Sequence, residues 1–502
     1  MFKRRKQKPL ENIQTKSETP KSLEALLETC QKSVDFHSFK LTEDSPYHVY
    51  YIETLVKPEL VHDDILLYLK KSENTTLLDL KKDVPVGDTK ILSGVPEIEE
   101  ALMLGHVLVR SEVNPNEVLS IPALFSETRS ISAPEVEFSV VGPKDAFVEP
   151  LNLNLNLIRR RLPISTLIVD EIKVGDLSHT RIAILHIKGI ADTANVHTAI
   201  QRIRDIQYDQ IADSSFIAQM ISDHSSSPFP QLIDTERPDR VSSALAEGKV
   251  VIIVDGSPQV LTGPTTLIEF FSAFEDYFIA WPLASIFRLI RLVAVLFSTL
   301  STALYVSVVT YHYEMIPSRL LDTLVSSRIG IPLPPIVEAI VLELVIELLR
   351  EAGARLPTKI GQTIGIVGGI VIGTAAVEAG LTSNVLLIVV ALTALASFTT
   401  PVYQMSNAIR LIRFPFILFA QWLGFLGVSI CFAFLLSHLL KLTSLGRPYL
   451  SPIYPLRATD FKDAFFRLPF NLQWQRPISV RSQQTTRSKP HDKRKKRRDI
   501  EE

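Results

Sequence analysis

The sequence predicts an α/β region of two subdomains followed by an α-helical multi-pass membrane domain. Of the 502 residues, 46% are hydrophobic and 21% are charged, which is more apolar than is usual for a soluble protein of this length. Short β-rich runs alternate with segments of helical periodicity up to about residue 264. The composition then changes near Phe287, where long apolar runs without charge begin.

Charge and cysteine content exclude several classes of protein. The net charge is −1, but residues 441–502 carry +9 and the rest of the chain carries −10, so we do not expect a nucleic-acid binder. Cys30 and Cys431 lie in different contexts, which excludes a disulfide framework, a structural zinc site and an iron–sulfur site. The first residues are basic and lack the apolar core of a secretory signal, so we expect a cytoplasmic N-terminal region.

The α/β region divides into elements that are read from periodicity and turn residues. Residues 1–20 are predicted to be a disordered basic N-terminus, residues 21–133 a first subdomain and residues 134–264 a second. An alternating Leu-Asn run precedes Arg159-Arg160-Arg161, which is either a solvated basic face or a contact with a subunit or a lipid headgroup. The predicted strands and helices are Val49–Leu55 (strand), Asp63–Lys71 and Pro96–Arg110 (helices), Ser165–Val169 and Thr180–Lys188 (strands), Thr193–Asp205 (helix) and Lys249–Val254 (strand).

Four long apolar runs predict membrane spans, because about 20 apolar residues cross a bilayer. Residues 265–287 are expected to form a linker or interfacial helix, residues 288–440 the transmembrane domain, and residues 441–502 a basic cytoplasmic tail. The acidic helix, residues 335–351, is too short and too acidic for an ordinary span; it is predicted to face a pore, to re-enter the membrane or to lie at its surface. The predicted spans are residues 289–313, 360–381, 385–403 and 414–440.

Basic residues precede the first predicted span and also occur in the C-terminal tail. Because basic flanks of membrane spans stay on the cytoplasmic side, both ends of the membrane domain are expected there, which requires an even number of crossings. Four crossings with a non-crossing acidic helix satisfy this rule, and we favour that count. It places five basic residues on the outer side, however: Arg350, Arg355, Lys359, Arg410 and Arg413. The alternative, in which the acidic helix crosses, brings these basic residues inside but sends the tail out.

No motif of catalysis is present in the sequence. P-loop, HExxH, CxxC, GxSxG and dinucleotide fingerprints are absent, and the 11 histidines lack ligand spacing. The sequence therefore predicts no catalytic residue, no metal ligand and no cofactor, and the protein is not expected to be an enzyme.

A row of glycines marks the second predicted span. Residues four apart lie on one helix face, so the row forms a groove into which another helix can pack closely, within the chain or from a neighbouring subunit. The predicted packing residues are Gly361, Gly365, Gly368, Gly369 and Gly373.

A row of glutamates marks the acidic helix. Glu343, Glu347 and Glu351 repeat every four residues, and Glu338 lies about 140° away around a helix of 3.6 residues per turn. Carboxylates are costly in hydrocarbon, so they meet water or basic partners. Two readings stay open: a solvated face of an interfacial helix, or the lining of a cation path in an oligomer. Arg350 and Arg355 are the only basic residues nearby in sequence, which predicts a surplus of negative charge.

Several motifs together resemble one family, the A subunits of GerA-type spore germination receptors of endospore-forming Firmicutes. The resemblance covers residues 135–455; the segment before residue 130 matches only in size and general character. Glu149-Pro150-Leu151 departs from the family pattern, which usually has a Ser after the Glu. The motifs are Val141-Gly142-Pro143-Lys144, Asn154 with Leu157–Arg161, Phe229-Pro230-Gln231, Thr235–Arg240, Val254–Pro258, Tyr311–Pro317, Arg350–Gly353 with Arg355-Leu356-Pro357, Gly361–Gly369 and Tyr449–Pro452.

This resemblance implies a cellular location and protein partners. The family sits in the inner membrane of the dormant spore, where the A subunit resembles an oligomeric channel component that works with a permease-like B subunit and a lipoprotein C subunit. Nutrients are thought to be sensed by the B subunit, and ions are then released. Besides such a channel-forming receptor subunit, two alternatives stay open. One is a paralogous A-like scaffold that clusters receptors or amplifies ion release without its own nutrient receptor, and the other is a secondary transporter, which the lack of inverted repeats disfavours.

Overall fold

A computed structural model describes residues 22–487 except for residues 43–44, 72–75, 126–133, 135–136, 138–140 and 356–372. The predicted disordered N-terminus and the basic run at residues 493–498 lie outside this part of the chain.

The first unit is a five-stranded antiparallel sheet with two helices on each face. The strand order is β1-β2-β4-β5-β3. Helices α1 and α4 cover one face, and α2 and α3 cover the other, because alternate residues of each strand are apolar on both sides. The elements are α1 (Leu23–Cys30), β1 (Phe36–Lys40), β2 (Tyr47–Ile52), a π-helix (Leu60–Leu66) running into α2 (Leu67–Lys71), α3 (Leu77–Asp83), β3 (Lys90–Leu92), α4 (Val95–Met103), β4 (His106–Ser111) and β5 (Val118–Pro122).

The helix predicted at Pro96–Arg110 is shorter in the structure, where it has 9 residues. It ends at Met103, and Gly105 follows with a φ of +83°. That conformation favours glycine, and it turns the chain so that His106–Ser111 enters the sheet as β4. The apolar residues of β4 continue the helical pattern by coincidence, which explains the error.

The second unit repeats the same three-layer plan, again with an antiparallel sheet. The strand order is β6-β7-β9-β10-β8. Helices α5 and α8 pack on one face and α6 and α7 on the other. The elements are α5 (Leu151–Arg161), β6 (Leu167–Val174), β7 (Thr180–Ile187), α6 (Thr193–Arg204), α7 (Ser214–Met220), β8 (Ile233–Thr235), α8 (Pro238–Glu247), β9 (Val250–Val254) and β10 (Val260–Gly263).

A buried ion pair joins the two units. The Leu-Asn run forms α5, and Arg159 at its end is buried rather than solvated. Its Nε donates to Asp35 Oδ2 at 2.6 Å and its Nη2 donates to Asp35 Oδ1 at 2.6 Å. Ser33 and Thr54 also donate to Asp35. Burial raises the pKa of Asp35, but the charge and hydrogen bonds of Arg159 outweigh burial and, with the two hydroxyls, hold the pKa below its usual value.

This pair predicts a pH dependence of stability. A carboxylate with a depressed pKa stabilises the folded state above its unfolded pKa of about 3.9, and that contribution is lost as the pH falls through the lower folded value. We therefore expect the full chain in detergent to lose stability below about pH 4. Asp35→Asn should be less stable than the wild type at pH 7 and should lose this part of the acid dependence, as measured by circular dichroism melts. Asp63→Asn, at an exposed position, is the control, and an unchanged acid profile in Asp35→Asn would contradict the prediction.

The rest of the chain is helical and then returns to the second unit. Two 3₁₀ turns, Leu267–Phe271 and Phe274–Tyr277, stand where a linker or interfacial helix was predicted. The elements are α9 (Trp281–Tyr311), α10 (Ser318–Arg328), α11 (Pro335–Ala354), α12 (residues 373–378), α13 (Asn384–Ser397), α14 (Tyr403–Leu423), α15 (Phe425–Lys441), the strand pair β11 (Thr443–Ser444) and β12 (Arg447–Pro448), and α16 (Phe461–Ala464).

Among the described residues, α9 is the one helix that is long and apolar enough by itself to cross a membrane, with a mean hydropathy of 2.1 in its most apolar window. Helices α13 and α15 are apolar but shorter. The predicted span at residues 414–440 is not one helix in the structure, because Gly424, with φ +58° and ψ −137°, separates α14 from α15.

The segment after residue 441 is folded onto the second unit rather than free as a tail. Leu445 is buried in the core of that unit. Arg447 forms an ion pair with Asp192 at 2.6 Å, and the Asn195 amide donates to the carbonyl of Val480 at 3.1 Å. The described part of this segment, residues 442–487, therefore completes the second unit.

Candidate functional site in the helical region

The second unit lies at one end of the helical region, which we call the near end; the opposite end is the far end. Helix α14 begins near, since Gln404 Nε2 donates to Asp234 Oδ2 at 3.0 Å. Helix α15 ends near, since His438 and Ser227 form a hydrogen bond of 2.9 Å. Gly424, between them, lies at the far end beside His312, which follows the last residue of α9.

The other helices are oriented by their hydrogen bonds to α9. Helix α13 runs from far to near, because Ser383, its N-cap, bonds Tyr305 at 3.2 Å while Thr393 bonds Ser301 at 2.6 Å. Helix α11 runs the same way. Glu338 accepts from the amide of Ser383 at 3.2 Å at the far end, and Arg350, nearer the second unit, contacts Ser397 at 3.4 Å.

These directions define a chain path. Helix α9 runs towards the far end, α11 and α13 return, α14 runs outward and α15 returns. The path of these described helices ends at the near end, where α9 begins.

Two of the four predicted glutamates are buried and paired. Glu338 Oε1 lies 2.9 Å from Arg328 Nη2, contributed by α10. Glu343 pairs with Arg413 of α14 and accepts a hydrogen bond of 2.9 Å from Thr302 of α9. Burial without partners would be costly for each carboxylate, and the arginines offset part of that cost.

The other two glutamates are partly or largely exposed. Glu347, 44% exposed, lies 2.8 Å from Arg410 Nη1 on α14. Glu351, 60% exposed, is paired only with Arg355 at the end of its own helix in the described structure, at 2.5 Å. We call Glu338, Glu343 and Glu347 with Arg328, Arg413 and Arg410 the Glu/Arg ladder.

The surplus of negative charge that was expected on the acidic helix is wrong, because the Glu/Arg ladder supplies further basic partners. That expectation counted only Arg350 and Arg355, which are close in sequence. The structure brings three further arginines to the same glutamates from α10 and α14, so each glutamate has a basic partner. Arg410 and Arg413, three residues apart in an apolar run, were the signal in the sequence: two buried cations on one helix face require anions from elsewhere.

The predicted packing glycines are mostly untested. Gly361, Gly365, Gly368 and Gly369 lie outside the described residues. At Gly373 an added Cβ would be 3.7 Å from Leu387, an ordinary contact. The closest helix approach around a described glycine is at Gly427, whose added Cβ would overlap the backbone of Phe419 in α14.

A second charged cluster lies where α9 meets the second unit. Asp276, fully buried, accepts from Arg288 at 3.1 Å and from Arg291 at 2.6 Å. Arg288 also pairs with Asp463 of the C-terminal segment at 3.2 Å. This cluster anchors the near end of α9 to the soluble part of the chain. In the part of the chain that the structure describes, no group of three or more His, Cys, Asp or Glu side chains could hold a metal ion.

The fold and the ladder define a class of protein in which a soluble two-sheet region is joined to apolar helices that carry paired charges. Residues 21–479 match the family described as Bacillus/Clostridium GerA spore germination protein. The chain belongs to this family.

Relatives of known name are similar over nearly the whole chain. Spore germination protein GerQA of Bacillus cereus is 48% identical over 94% of this chain and 95% of its own length. Spore germination protein KA of Bacillus subtilis (strain 168) is 38% identical over 90% of this chain and 85% of its own. The crystal structure of the N-terminal domain of the A subunit of the Bacillus megaterium spore germinant receptor GerK3 is 28% identical, with a TM-score of 0.37, and covers 48% of this chain and 92% of that domain.

Proposed function

We propose that the chain is the A subunit of a nutrient-responsive spore germination receptor and that its helical region is a multi-pass, ion-releasing membrane component. The observation that carries the membrane part is the Glu/Arg ladder. Paired charges buried among apolar helices are typical of ion pathways and moving parts in membrane proteins. Family membership supports the role in germination.

We propose six traversals of the membrane, the third supplied by the span predicted from the sequence at residues 360–381, and this count reconciles the topology arguments. The acidic helix crosses, which keeps Arg350, Arg355, Arg410 and Arg413 towards the near end, and the division at Gly424 still returns the C-terminal segment to the side of the N-terminal units. Helices α11 and α14, with 20 and 21 residues, are about 30 Å long, which matches the hydrocarbon core. The near end is then cytoplasmic, since it collects the basic residues.

The ion path in this proposal lies along the exposed side of α11. Glu338 and Glu343 are compensated inside the chain, whereas Glu347 and Glu351 are exposed and available to water in an oligomer. The expected partners are further copies of this chain, a permease-like B subunit, a lipoprotein C subunit and the lipid of the inner spore membrane.

One observation favours a second candidate, a membrane scaffold that clusters receptors without conducting. The ladder balances its charges within one protomer, so it supplies no strong negative field for cations. Ion flux separates the two candidates.

The test uses the full-length protein in potassium-loaded liposomes. We expect potassium efflux above that of protein-free vesicles, and a single cysteine at Ser326 should be labelled from the side opposite to a single cysteine at Ser479. Absence of efflux would favour the scaffold. Labelling of both positions from one side would refute the six-traversal topology.

A further inference from the structure

The spacing of the Glu/Arg ladder matches a second register of α11. Glu343 faces Arg413 and Glu347 faces Arg410. Because α11 and α14 are antiparallel, moving α11 by one turn towards the far end carries Glu347 to Arg413 and Glu351 to Arg410. Four residues of helix correspond to a shift of about 6 Å. Two ion pairs between α11 and α14 exist before the shift and two exist after it.

In the part of the chain that the structure describes, Glu351 makes no contact with another helix that explains its place in the row of glutamates. It is exposed, and its partner Arg355 lies one turn away on the same chain segment and moves with it. Surface pairs of this kind contribute little to stability. In the shifted register, however, Glu351 is the residue that replaces Glu347 at Arg410.

The resting register is favoured by contacts that the shift breaks. Glu343 would leave Arg413 and Thr302, and Arg350 would leave Ser397. Glu338 would leave Arg328 of α10 and the amide of Ser383. Side chains on the outward face of α11 oppose the shift less than these contacts do, since Leu344 and Leu348 are 48% and 68% exposed. Interfaces between helices have discrete packing states, and one-turn ratchets are a known form of transition.

We propose that α11 has two registers on α14, one turn apart, and that Glu351 is the positioning residue that holds the second. The inference deepens the proposed function, because the second register is the conducting one, but its structural part does not depend on flux.

The first measurement is a distance between spin labels at two exposed positions, Leu348→Cys on α11 and Leu411→Cys on α14. Glu343→Gln removes the main resting pair, and it also removes the carboxylate that the shift would strand. We expect this variant to add a second distance population and to raise potassium efflux from liposomes several-fold. A cation path lined by Glu343 predicts the opposite, a fall in efflux.

The second measurement separates Glu351 from its surface pair. Adding Glu351→Gln to Glu343→Gln should abolish the second population and reduce efflux at least tenfold. The matched control, Arg355→Gln added to Glu343→Gln, breaks the same surface pair, keeps the carboxylate and should retain both signals. Both substitutions are at exposed positions, so neither threatens folding.

The outcomes are distinct. A single distance in Glu343→Gln, or equal behaviour of the Glu351→Gln and Arg355→Gln variants, overturns the two-register proposal. Two distance populations without efflux in any variant uphold the registers and overturn the proposed ion release instead.

Discussion

Arg413→Met is expected to lower the free energy of unfolding by about 3–5 kcal/mol, because it leaves Glu343 buried without its cation. Glu343 keeps only the hydroxyl of Thr302 in the described structure, and one neutral donor does not compensate a carboxylate in an apolar helix bundle. Thermal unfolding of the purified chain in detergent, followed by circular dichroism, measures the effect.

A double-mutant cycle separates the pair from its packing. Glu343→Gln with Arg413→Met should be more stable than Arg413→Met alone, since no unpaired charge remains. The control is Arg355→Met, whose guanidinium side chain is 78% exposed, and it should change stability by less than about 1 kcal/mol. Equal losses for Arg413→Met and Arg355→Met would show that the buried pair is not formed.

Gly427→Ala is expected to be the most damaging glycine substitution in the described helices, with a loss of about 3 kcal/mol, at the upper end of the cost of overpacking. The added Cβ would overlap the carbonyl oxygen of Phe419 and lie 2.7 Å from its carbonyl carbon. Both atoms belong to the backbone, so no side-chain rotation relieves the clash, and α14 must separate from α15.

Gly353→Ala is the matched control within a helix of the same region. Among the described residues, nothing lies within 4 Å of the added methyl group there, and φ is in the ordinary range. Alanine favours a helix over glycine by up to about 1 kcal/mol, so this variant should be as stable as the wild type or slightly more stable. If Gly427→Ala unfolds at the same temperature as Gly353→Ala, helices α14 and α15 are not in close contact.

Hydrophobic periodicity was sufficient to predict elements that have one continuous apolar face buried against the rest of the protein. Thr193–Asp205 was predicted as a helix, and α6 occupies Thr193–Arg204, because one apolar stripe faces the second sheet. The composition change near Phe287 located α9 for the same reason, since an apolar run of that length has few alternatives.

The sequence was ambiguous where tertiary contacts determine the backbone conformation. Gly424 lies in a continuous apolar run, and a single glycine there is common in membrane helices. The break depends on the close approach of His312, 112 positions earlier in the chain, whose ring stacks on Phe425 with centroids 4.6 Å apart. No local pattern encodes that contact.

Of the Glu/Arg ladder, the sequence predicted the glutamates but not their arginine partners. The glutamates were found because their four-residue spacing is local. Their partners were missed because Arg413 and Glu343 are 70 positions apart, and electrostatic balance depends on which helices pack together. Counting charge by proximity in sequence therefore predicted a surplus of negative charge that the paired side chains do not have.

The C-terminal segment makes completion of the second unit depend on the last part of the chain to be synthesised. Ser444 accepts from the amide of Thr265 at 3.0 Å and donates to the carbonyl of Gln231 at 2.6 Å, while Leu445 fills the core beside Gly263. These residues follow helices α9 to α15 in the chain, so the second unit lacks them until the helical region has been synthesised. In the proposed multi-pass arrangement, an odd number of crossings would leave this segment on the side opposite to the second unit, and that unit would remain incomplete.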